Sequence, residues 1–304
     1  MSIKRILSIT AACVAVGVAL AGCSSANPTM APSSTAASKP IVIGSQAFPE
    51  NEIIGEIYAQ ALEAAGFTAT RQFNIGSRET YIPAIEKGQV SLLPEYTGGL
   101  LQYFDKTTTA KSAEAIYAAL PAALASQGLS VLDQSMASDE DSYNVTKAFS
   151  DANNVKSLAD LSALKIPLAV GGNSEMASRP FGPQGLLSVY GVTVSFTAIE
   201  DFGGPLTVKA LKDGVVQIAD LYTSDPAIAA NNFVTLADPE NLMVANNVVA
   251  LINTAAFPMD AAGVINAVNA KLTTAGLVQI NTESAAGDSP ATIATKWLKN
   301  NLIG

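Results

Sequence analysis

Short apolar runs alternate along the chain with segments in which apolar residues recur every three or four positions. The first run covers residues 41–45, and after Pro49 the apolar side chains return at the helical period until Gly66. Continuous apolar runs are typical of buried strands, whereas the longer period is typical of helices with one buried face. A glycine after such a segment is a common helix stop. The folded part of the chain is therefore predicted to begin as strand, loop and helix.

The alternation of strands and helices continues to the end of the chain. Further strands are predicted at residues 67–73, 90–96, 129–133, 166–171, 192–198, 215–221, 233–236 and 248–252. Further helices are predicted at residues 80–88, 112–126, 157–164, 186–190, 206–212, 259–275 and 292–302. A helix that starts near Thr80 places Pro83 in its first turn, where a missing N–H is tolerated. This order predicts an α/β fold with parallel sheets that carry helices on both faces.

One helix–glycine–strand layout occurs twice. Gly88 precedes Tyr96 by eight residues, Gly214 precedes Tyr222 by eight residues, and a threonine follows each tyrosine. Because α/β proteins bind ligands where buried strands end, two halves of the molecule are predicted to deliver one tyrosine each to a shared site. The alternative is that any helix–strand unit of an α/β protein has this layout and that both tyrosines belong to the core.

The N-terminal residues have the pattern of an export signal. Two basic residues precede an apolar segment that is short for a membrane span and ends in Leu-Ala-Gly-Cys at residues 20–23. This pattern predicts a lipoprotein signal peptide at residues 1–22 with Cys23 as the lipid-bearing residue; an ordinary signal or a short anchor helix is the alternative. Residues 23–39, rich in Ser, Ala, Pro and Thr, are predicted to be a flexible tether outside the cytoplasm.

The composition argues against histidine- or cysteine-dependent enzymes and against nucleic acid as a partner. The chain contains no histidine, and its two cysteines are Cys13, within the predicted signal, and Cys23. Histidine-dependent catalysis and the usual zinc sites therefore lack their essential groups, and neither a metal nor a cofactor is predicted. A net charge of −9 without a basic cluster also argues against nucleic acid as a partner.

Acidic residues raise two further hypotheses. The three adjacent acids at residues 139–141 are predicted to form a solvated loop, because no spaced oxygen ligands accompany them as in a divalent-cation site. Glu95 and Asp220 lie just before the two repeated tyrosines. In one hypothesis they are the acid/base pair of an exported enzyme, and in the other they have a structural or hinge role.

Tyrosines at strand ends are suited to cation binding. The electron-rich faces of aromatic rings attract a cation that has little hydrogen-bonding capacity, and a quaternary ammonium is such a cation. Tyr143, which lies just after the predicted boundary between two lobes, is a third candidate beside the repeated pair. Each of these tyrosines is also explained as a half-buried core residue.

Four segments occur in the order and spacing of a known family. They are Ile-Gly-Ser-Gln-Ala-Phe-Pro-Glu at residues 43–50, Glu-Tyr-Thr-Gly at 95–98, residues 175–186, and Tyr222. On these segments residues 40–304 resemble the substrate-binding lipoproteins of osmoprotectant ABC transporters, which bind glycine betaine, carnitine, choline or proline betaine. The resemblance implies a monomeric, non-enzymatic protein that captures a compatible solute and delivers it to the transmembrane subunits of an ABC importer.

The resemblance also implies the architecture. It is a two-lobed periplasmic-binding-protein fold of type II, with two crossovers between the lobes and a hinge that closes them on the ligand. One lobe is predicted to combine residues 40–136 and 245–304. The other lobe is predicted to cover residues 137–244.

The family's aromatic cage maps onto three residues of this chain. They are Tyr96, Tyr143 and Tyr222, and the resemblance places Gln46 and Thr97 near the carboxylate or hydroxyl of the ligand. A cation held between these rings would be shared between the two lobes.

Three positions bear on which ligand is bound. Arg179 stands where the family has an arginine at the cleft, and a guanidinium can bind a carboxylate with two hydrogen bonds; an ion pair on the lobe surface is the alternative. Pro49 stands where the family usually has threonine. Asn246 aligns with the fourth cage tyrosine, and because an amide has no π face the cage is predicted to be three-sided.

The expected function is the capture of a quaternary-ammonium solute of the glycine betaine class. The three-sided cage also admits a larger or more polar ligand, so a binding protein for another small polar or aromatic solute is the first alternative. An exported enzyme that uses carboxylates and a structural envelope lipoprotein without a ligand are the others.

Overall fold

The structure, a computed structural model, describes residues 39–301. These residues form two five-stranded sheets covered by helices. The predicted signal peptide, Cys23 and the predicted tether up to residue 38 lie outside the described residues. Within residues 39–301, no helix has both the length and the apolar character that a bilayer span requires.

Strands and helices alternate through most of the described chain, as predicted. The strands are β1 (Ile41–Gly44), β2 (Ala69–Gln72), β3 (Leu92–Tyr96), β4 (Leu129–Val131), β5 (Asp141–Val145), β6 (Ala169–Gly172), β7 (Ser195–Ala198), β8 (Ile218–Tyr222), β9 (Val234–Thr235) and β10 (Val248–Asn253). The α-helices are α1 (Pro49–Ala64), α2 (Arg78–Glu86), α3 (Thr97–Phe104), α4 (Ala113–Leu124), α5 (Lys147–Asn153), α6 (Pro183–Tyr190), α7 (Pro205–Lys212), α8 (Pro226–Ala230), α9 (Ala262–Asn269), α10 (Thr274–Ala285) and α11 (Pro290–Asn301). Short 3-10 helices cover Ala125–Gln127, Leu158–Ala163, Ser174–Ser178 and Met259–Ala261.

The two sheets share one strand pattern. Their orders are β2-β1-β3-β10-β4 and β7-β6-β8-β5-β9, so β3 and β8 are the central strands. In each sheet the neighbours among the first three strands are parallel and the other two pairs are antiparallel. Both sheets are therefore mixed, and the prediction of parallel sheets holds only for their first three strands. Strands β10 and β5 each arrive from the other sheet and begin beside the last residue of the central strand, so they run back along it.

The sheets define two lobes joined by two crossovers. All strands of the first sheet fall within residues 40–136 and 245–304, and all strands of the second fall within 137–244. The crossovers pair with each other, since Asn246 Nδ2 donates to the carbonyl of Asp139 at 2.9 Å and the amide of Asp139 donates to the carbonyl of Asn246 at 3.1 Å. The boundaries of the lobes stay a prediction.

The structure corrects one local prediction and adds two elements that the sequence pattern did not indicate. Helix α2 begins at Arg78, so Pro83 lies inside the helix instead of in its first turn. Helix α3 forms although Gly98 and Gly99 are poor helix formers, and a side chain at Gly98 would place its Cβ 2.4 Å from the carbonyl oxygen of Ala245. Strand β5 has no apolar run in its sequence, and its pairing with β8 and β9 determines its conformation.

Helix α1 anchors the first lobe and sets the position of the residue that precedes it. Its buried face includes Ile53 and Ile57, which pack in one core with Trp297 of α11. Burying each isoleucine stabilises the fold by about 1.5–3 kcal/mol. Pro49 occupies the first helical position, and the residue before a proline favours extended backbone, as Phe48 adopts here.

Candidate functional site

The central strand of each sheet ends at a tyrosine, and both tyrosines line one cavity between the lobes. Tyr96 ends β3 and Tyr222 ends β8. Each strand follows a glycine with positive φ, Gly88 at 67° and Gly214 at 73°, which turns the chain out of the preceding helix. The repeated layout in the sequence therefore places two tyrosines at equivalent ends of two sheets.

The cavity has a volume of about 60 Å³ and is lined from both lobes. Its lining residues are Gln46, Phe48, Ser77, Arg78, Tyr96, Asp139, Asp141, Asn173, Glu175, Met176, Arg179, Phe181, Phe202, Asp220, Tyr222 and Asn246.

Four of the aromatic residues that line the cavity form one cluster, two from each lobe. Phe48 stacks on Tyr96 with 6.0 Å between ring centroids and on Tyr222 with 5.5 Å. Phe202 lies 5.9 Å from Phe48 at a tilt of 32°. Phe202 adopts a positive φ of 52°, and its amide donates to the side chain of Asn173 at 2.6 Å. Aromatic faces grouped in this way form an electron-rich surface suited to a cation.

A buried carboxylate holds the hydroxyl of Tyr96. Tyr96 Oη donates to Glu50 Oε1 at 2.7 Å, while Ser224 Oγ and Asn281 Nδ2 donate to Glu50 Oε2 at 2.7 and 2.5 Å. Burial raises the pKa of the Glu50 carboxyl above its ordinary value. Since Glu50 belongs to the first lobe and Ser224 to the second, this carboxylate also connects the lobes behind the aromatic cluster.

An ion pair fixes the first lobe's arginine at the cavity. Arg78 donates to both oxygens of Glu95 at 2.9 Å, and Tyr81 donates to the same carboxylate. Glu95 is fully buried and does not line the cavity, so it is not placed as the acid or base of a reaction there. A Cβ at Gly99 would lie 2.6 Å from Arg78 Nη2, and glycine at this position leaves room for the guanidinium.

The second arginine reaches from one lobe to the other. Arg179 Nη2 lies 3.0 Å from Glu79 Oε1, which belongs to helix α2 of the first lobe. The arginine side chain is 16% exposed and the glutamate side chain is 48% exposed. Arg179 therefore lines the cavity, as the resemblance implies, and also forms an ion pair, which was the alternative.

Two adjacent acids of the second lobe share the cavity wall. Asp141 and Asp220 lie on the paired strands β5 and β8, and their side chains are close neighbours. Burial raises the pKa of Asp141 to about 6, and burial together with the neighbouring Asp141 raises the pKa of Asp220 well above its ordinary value. Such a pair retains one proton readily, because two buried carboxylates in contact repel each other.

The adjacent acids at residues 139–141 do not converge on one point. Asp139 accepts from the amide of Ser224 at 2.8 Å, whereas Asp141 faces Asp220. Within residues 39–301, no group of three or more histidine, cysteine, aspartate or glutamate side chains is arranged to hold a metal ion. Both acids line the cavity, Asp139 is buried and Asp141 begins strand β5, so the prediction of a solvated loop at residues 139–141 is wrong.

The structure brings five of the seven predicted ligand-binding residues to the cavity. They are Gln46, Tyr96, Arg179, Tyr222 and Asn246. The side chain of Asn246 is already hydrogen-bonded within the protein. Its Oδ1 accepts from the amide of Gly99 at 3.0 Å, and its Nδ2 donates to the carbonyl of Asp139 in the other crossover.

Tyr143 and Thr97 lie outside the cavity lining. Tyr143 is fully buried in the core of the second lobe, and its hydroxyl donates to the carbonyl of Phe181 at 2.5 Å. It shares a strand face with Asp141 but is two residues further from the cleft, a depth of about 6.6 Å. Thr97 Oγ1 accepts from the amide of Asn247 at 3.0 Å, so its side chain secures the start of β10.

Sequence reasoning missed Phe48, Phe202, Arg78 and Asp141 as cavity residues. Phe48 lies within the segment 43–50 that carries the resemblance, so a signal for it was present. No pattern in the sequence indicates Phe202, because its ring depends on a left-handed backbone conformation.

Comparison with known proteins gives a family match over most of the chain. Residues 39–300 match the family described as the substrate binding domain of ABC-type glycine betaine transport systems. The chain is 25% identical over 220 residues to the glycine betaine-binding protein YehZ of Escherichia coli K12, covering 68% of this chain and 71% of that protein.

Solved structures show the same α/β fold. A glycine betaine/carnitine/choline ABC transporter protein superposes with a TM-score of 0.68 at 20% identity, covering 86% of this chain and 98% of that chain. Lactococcal OpuAC, in its closed-liganded conformation with glycine betaine, superposes with a TM-score of 0.62 at 12% identity, covering 86% and 96%. The predicted α/β fold of periplasmic binding proteins is therefore confirmed.

Proposed function

The chain belongs to the family of substrate-binding domains of ABC-type glycine betaine transport systems, and we propose that its interlobe cavity captures a quaternary-ammonium solute for delivery to the permease. As a substrate-binding domain of an importer, the protein works outside the cytoplasm and binds solute instead of transforming it.

The aromatic cluster carries the proposal. Phe48 and Tyr96 come from one lobe, Phe202 and Tyr222 from the other, and all four line the same cavity. A quaternary ammonium has no N–H to donate, so aromatic faces and nearby negative charge are its main partners. The acids that line the same cavity add to the attraction because they make it electronegative.

The position of the cavity supports capture by both lobes together. Arg179 and Glu79 connect the lobes on one side, and Glu50 and Ser224 connect them behind the tyrosine. A ligand that contacts rings from both lobes would favour the arrangement in which the lobes are together, by its differential affinity for that arrangement.

Calorimetric titration with matched ligands tests the proposal. Choline and glycine betaine are compared with 3,3-dimethylbutan-1-ol, which replaces the ammonium nitrogen of choline with carbon and has no charge. We expect at least one of the two ammonium compounds to bind and the neutral alcohol to bind at least about tenfold more weakly. Equal affinity for choline and the alcohol would show an apolar pocket for a different class of small solute.

We also propose that the protein is a monomer anchored to the membrane through a lipid on Cys23. The support is the Leu-Ala-Gly-Cys sequence that ends an apolar N-terminal segment. Cys23→Ala is expected to move the protein from the membrane fraction to the soluble fraction, with Cys13→Ala as the control that leaves it membrane-bound. Light scattering of the folded domain measures its oligomeric state.

A further inference from the structure

Building on the proposed function, we infer that the site selects a quaternary ammonium that carries a hydroxyl group and no carboxylate, and that Gln46 and Asp220 bind this hydroxyl from opposite lobes. The family match leaves open which of these solutes the chain prefers. Two features of the cavity bear on that choice: its unpaired polar atoms and the way in which its arginines are used.

Two buried polar atoms in the cavity wall have no hydrogen-bond partner. Gln46 is 5% exposed, and its Nε2 is unpartnered, as is Oδ1 of Asp220. Among residues 39–301 only one further buried side-chain atom lacks a partner, Gln134 Oε1, which is outside the cavity. Because unpaired buried polar atoms destabilise a fold and are rare, two in one small cavity point to a ligand that pairs with both.

One of these atoms is a donor and the other is an acceptor. The side-chain amide of Gln46 offers N–H groups, and the Asp220 oxygen offers lone pairs. A hydroxyl group matches both at once, since it accepts one hydrogen bond and donates another. A ligand carboxylate can accept from Gln46 but has no hydrogen to donate to Asp220 Oδ1.

The arginines of the cavity are already paired with protein carboxylates. Arg78 makes two hydrogen bonds of 2.9 Å to Glu95, and Arg179 lies 3.0 Å from Glu79. A ligand carboxylate would have to displace one of these partners and leave it without its counter-ion. Breaking the buried Arg78–Glu95 pair is strongly unfavourable, so Arg78 is not a ready partner for an anionic group. At Arg179 a ligand carboxylate would have to compete with Glu79.

The remaining charged groups of the cavity are acids. Asp139, Asp141, Glu175 and Asp220 line it, and burial raises the pKa of Asp139, Asp141 and Asp220, which removes part of this charge. A net negative wall attracts a cation and repels the carboxylate of a zwitterion such as glycine betaine.

The carboxylate of Asp220 lies at a distance from the aromatic cluster that a ligand the size of choline can span. Asp220 and Tyr222 are two residues apart on β8, so they lie on the same face of the strand, about 6.6 Å apart. A ligand the size of choline can therefore rest its ammonium group against the Tyr222 ring while its hydroxyl reaches Asp220.

The test compares choline, glycine betaine and the O-methyl ether of choline by calorimetry on the full-length protein. Choline and glycine betaine share the trimethylammonium group, and the ether keeps the charge but has no hydroxyl hydrogen to donate. We expect choline to bind at least about tenfold more tightly than either compound, because each lacks the hydrogen bond to Asp220. Tighter binding of glycine betaine or equal binding of the ether would overturn the inference and leave the proposed function in place. If none of the three binds, both fail.

Variants locate the preference in the named residue. Asp220→Asn is expected to lower choline affinity at least about tenfold and to narrow its advantage over glycine betaine. Asp213→Asn is the matched control, because Asp213 lies in the same lobe at the exposed end of helix α7. This variant is expected to change the affinity for neither choline nor glycine betaine. If Asp220→Asn keeps the full preference for choline, Asp220 does not bind the hydroxyl, and the ligand comparison with the unmodified protein stands independently of how the variant folds.

Discussion

The ring of Phe48 stacks on the ring of Tyr222 with 5.5 Å between centroids and 28° between planes. Phe48 precedes helix α1 of the first lobe, and Tyr222 ends the central strand of the second. The contact therefore exists only when the lobes are together. The proposed cage is therefore complete only when the two lobes are in contact.

Phe48→Ala is expected to weaken the binding of a quaternary ammonium by about 1–2 kcal/mol, because it removes one desolvated ring from the cage. Phe104→Ala is a matched control, since Phe104 is a half-buried ring of the same lobe outside the cavity. Calorimetric titration of both variants measures the change. Equal losses in the two variants would mean that the effect comes from general destabilisation.

Tyr222 and Tyr143 are expected to respond differently to substitution. Tyr222→Ala should lower affinity by about 1–2 kcal/mol, whereas Tyr222→Phe retains a ring face and should keep most of the binding. Tyr143→Phe removes the hydrogen bond to the Phe181 carbonyl and should lower the free energy of unfolding by about 1 kcal/mol with little change in affinity. Urea denaturation and titration of each variant separate the two effects, and a large affinity loss in Tyr143→Phe would return Tyr143 to the cage.

Much of the scaffold was predictable because it depends on local signals. Apolar runs before Tyr96 and Tyr222, each after a glycine, correctly predicted two strands that end at tyrosines. The family resemblance is confirmed by the match over residues 39–300, and so is the prediction of a substrate-binding protein of an ABC importer.

The composition of the cage was less predictable, because it depends on contacts between distant segments. Tyr143 was expected in the cage, but strand β5 has the sequence Asp-Ser-Tyr-Asn-Val, whose short polar residues gave no sign of a buried strand. The sequence did not identify Phe48 as a cage residue because its ring contacts, Tyr96 and Tyr222, are distant from it along the chain. Local patterns identify the ends of strands, and tertiary packing determines which side chains meet there.

Glu79→Gln is expected to weaken ligand binding slightly, by about 0.5 kcal/mol, through loss of the ion pair with Arg179. The small size follows from exposure, since the Glu79 side chain is 48% exposed and water screens such pairs. Most of the change should appear as faster ligand release, measured by stopped-flow fluorescence. Glu86→Gln, on the same helix and in none of the ion pairs of residues 39–301, is the control. A salt-independent effect would argue against an electrostatic cause.

The ligand-free protein is expected to gain stability from Asp141 as the pH falls. Burial raises the pKa of Asp141 to about 6 from an ordinary value of 3.8, so the folded state binds more protons than the unfolded state between these values. The contribution of this group is therefore complete below about pH 4 and is lost as the pH rises through about 6. Urea denaturation of the protein and of Asp141→Asn from pH 4.5 to 7.5 measures the difference, which should grow in favour of the parent protein on acidification.

Ligand affinity is expected to change in the opposite direction over the same range. Asp141 faces Asp220, Arg78 and Arg179, and its own charge adds to the attraction for a cation only when it is deprotonated. One pH unit below its pKa of about 6 most of the group is protonated, so choline affinity should fall by about tenfold between pH 7 and pH 5. Asp141→Asn removes this titrating group and should flatten the profile, while Asp213→Asn should leave it unchanged. An unmodified slope in Asp141→Asn would assign the titration to Asp220, Asp139 or Glu50, whose pKa values burial also raises.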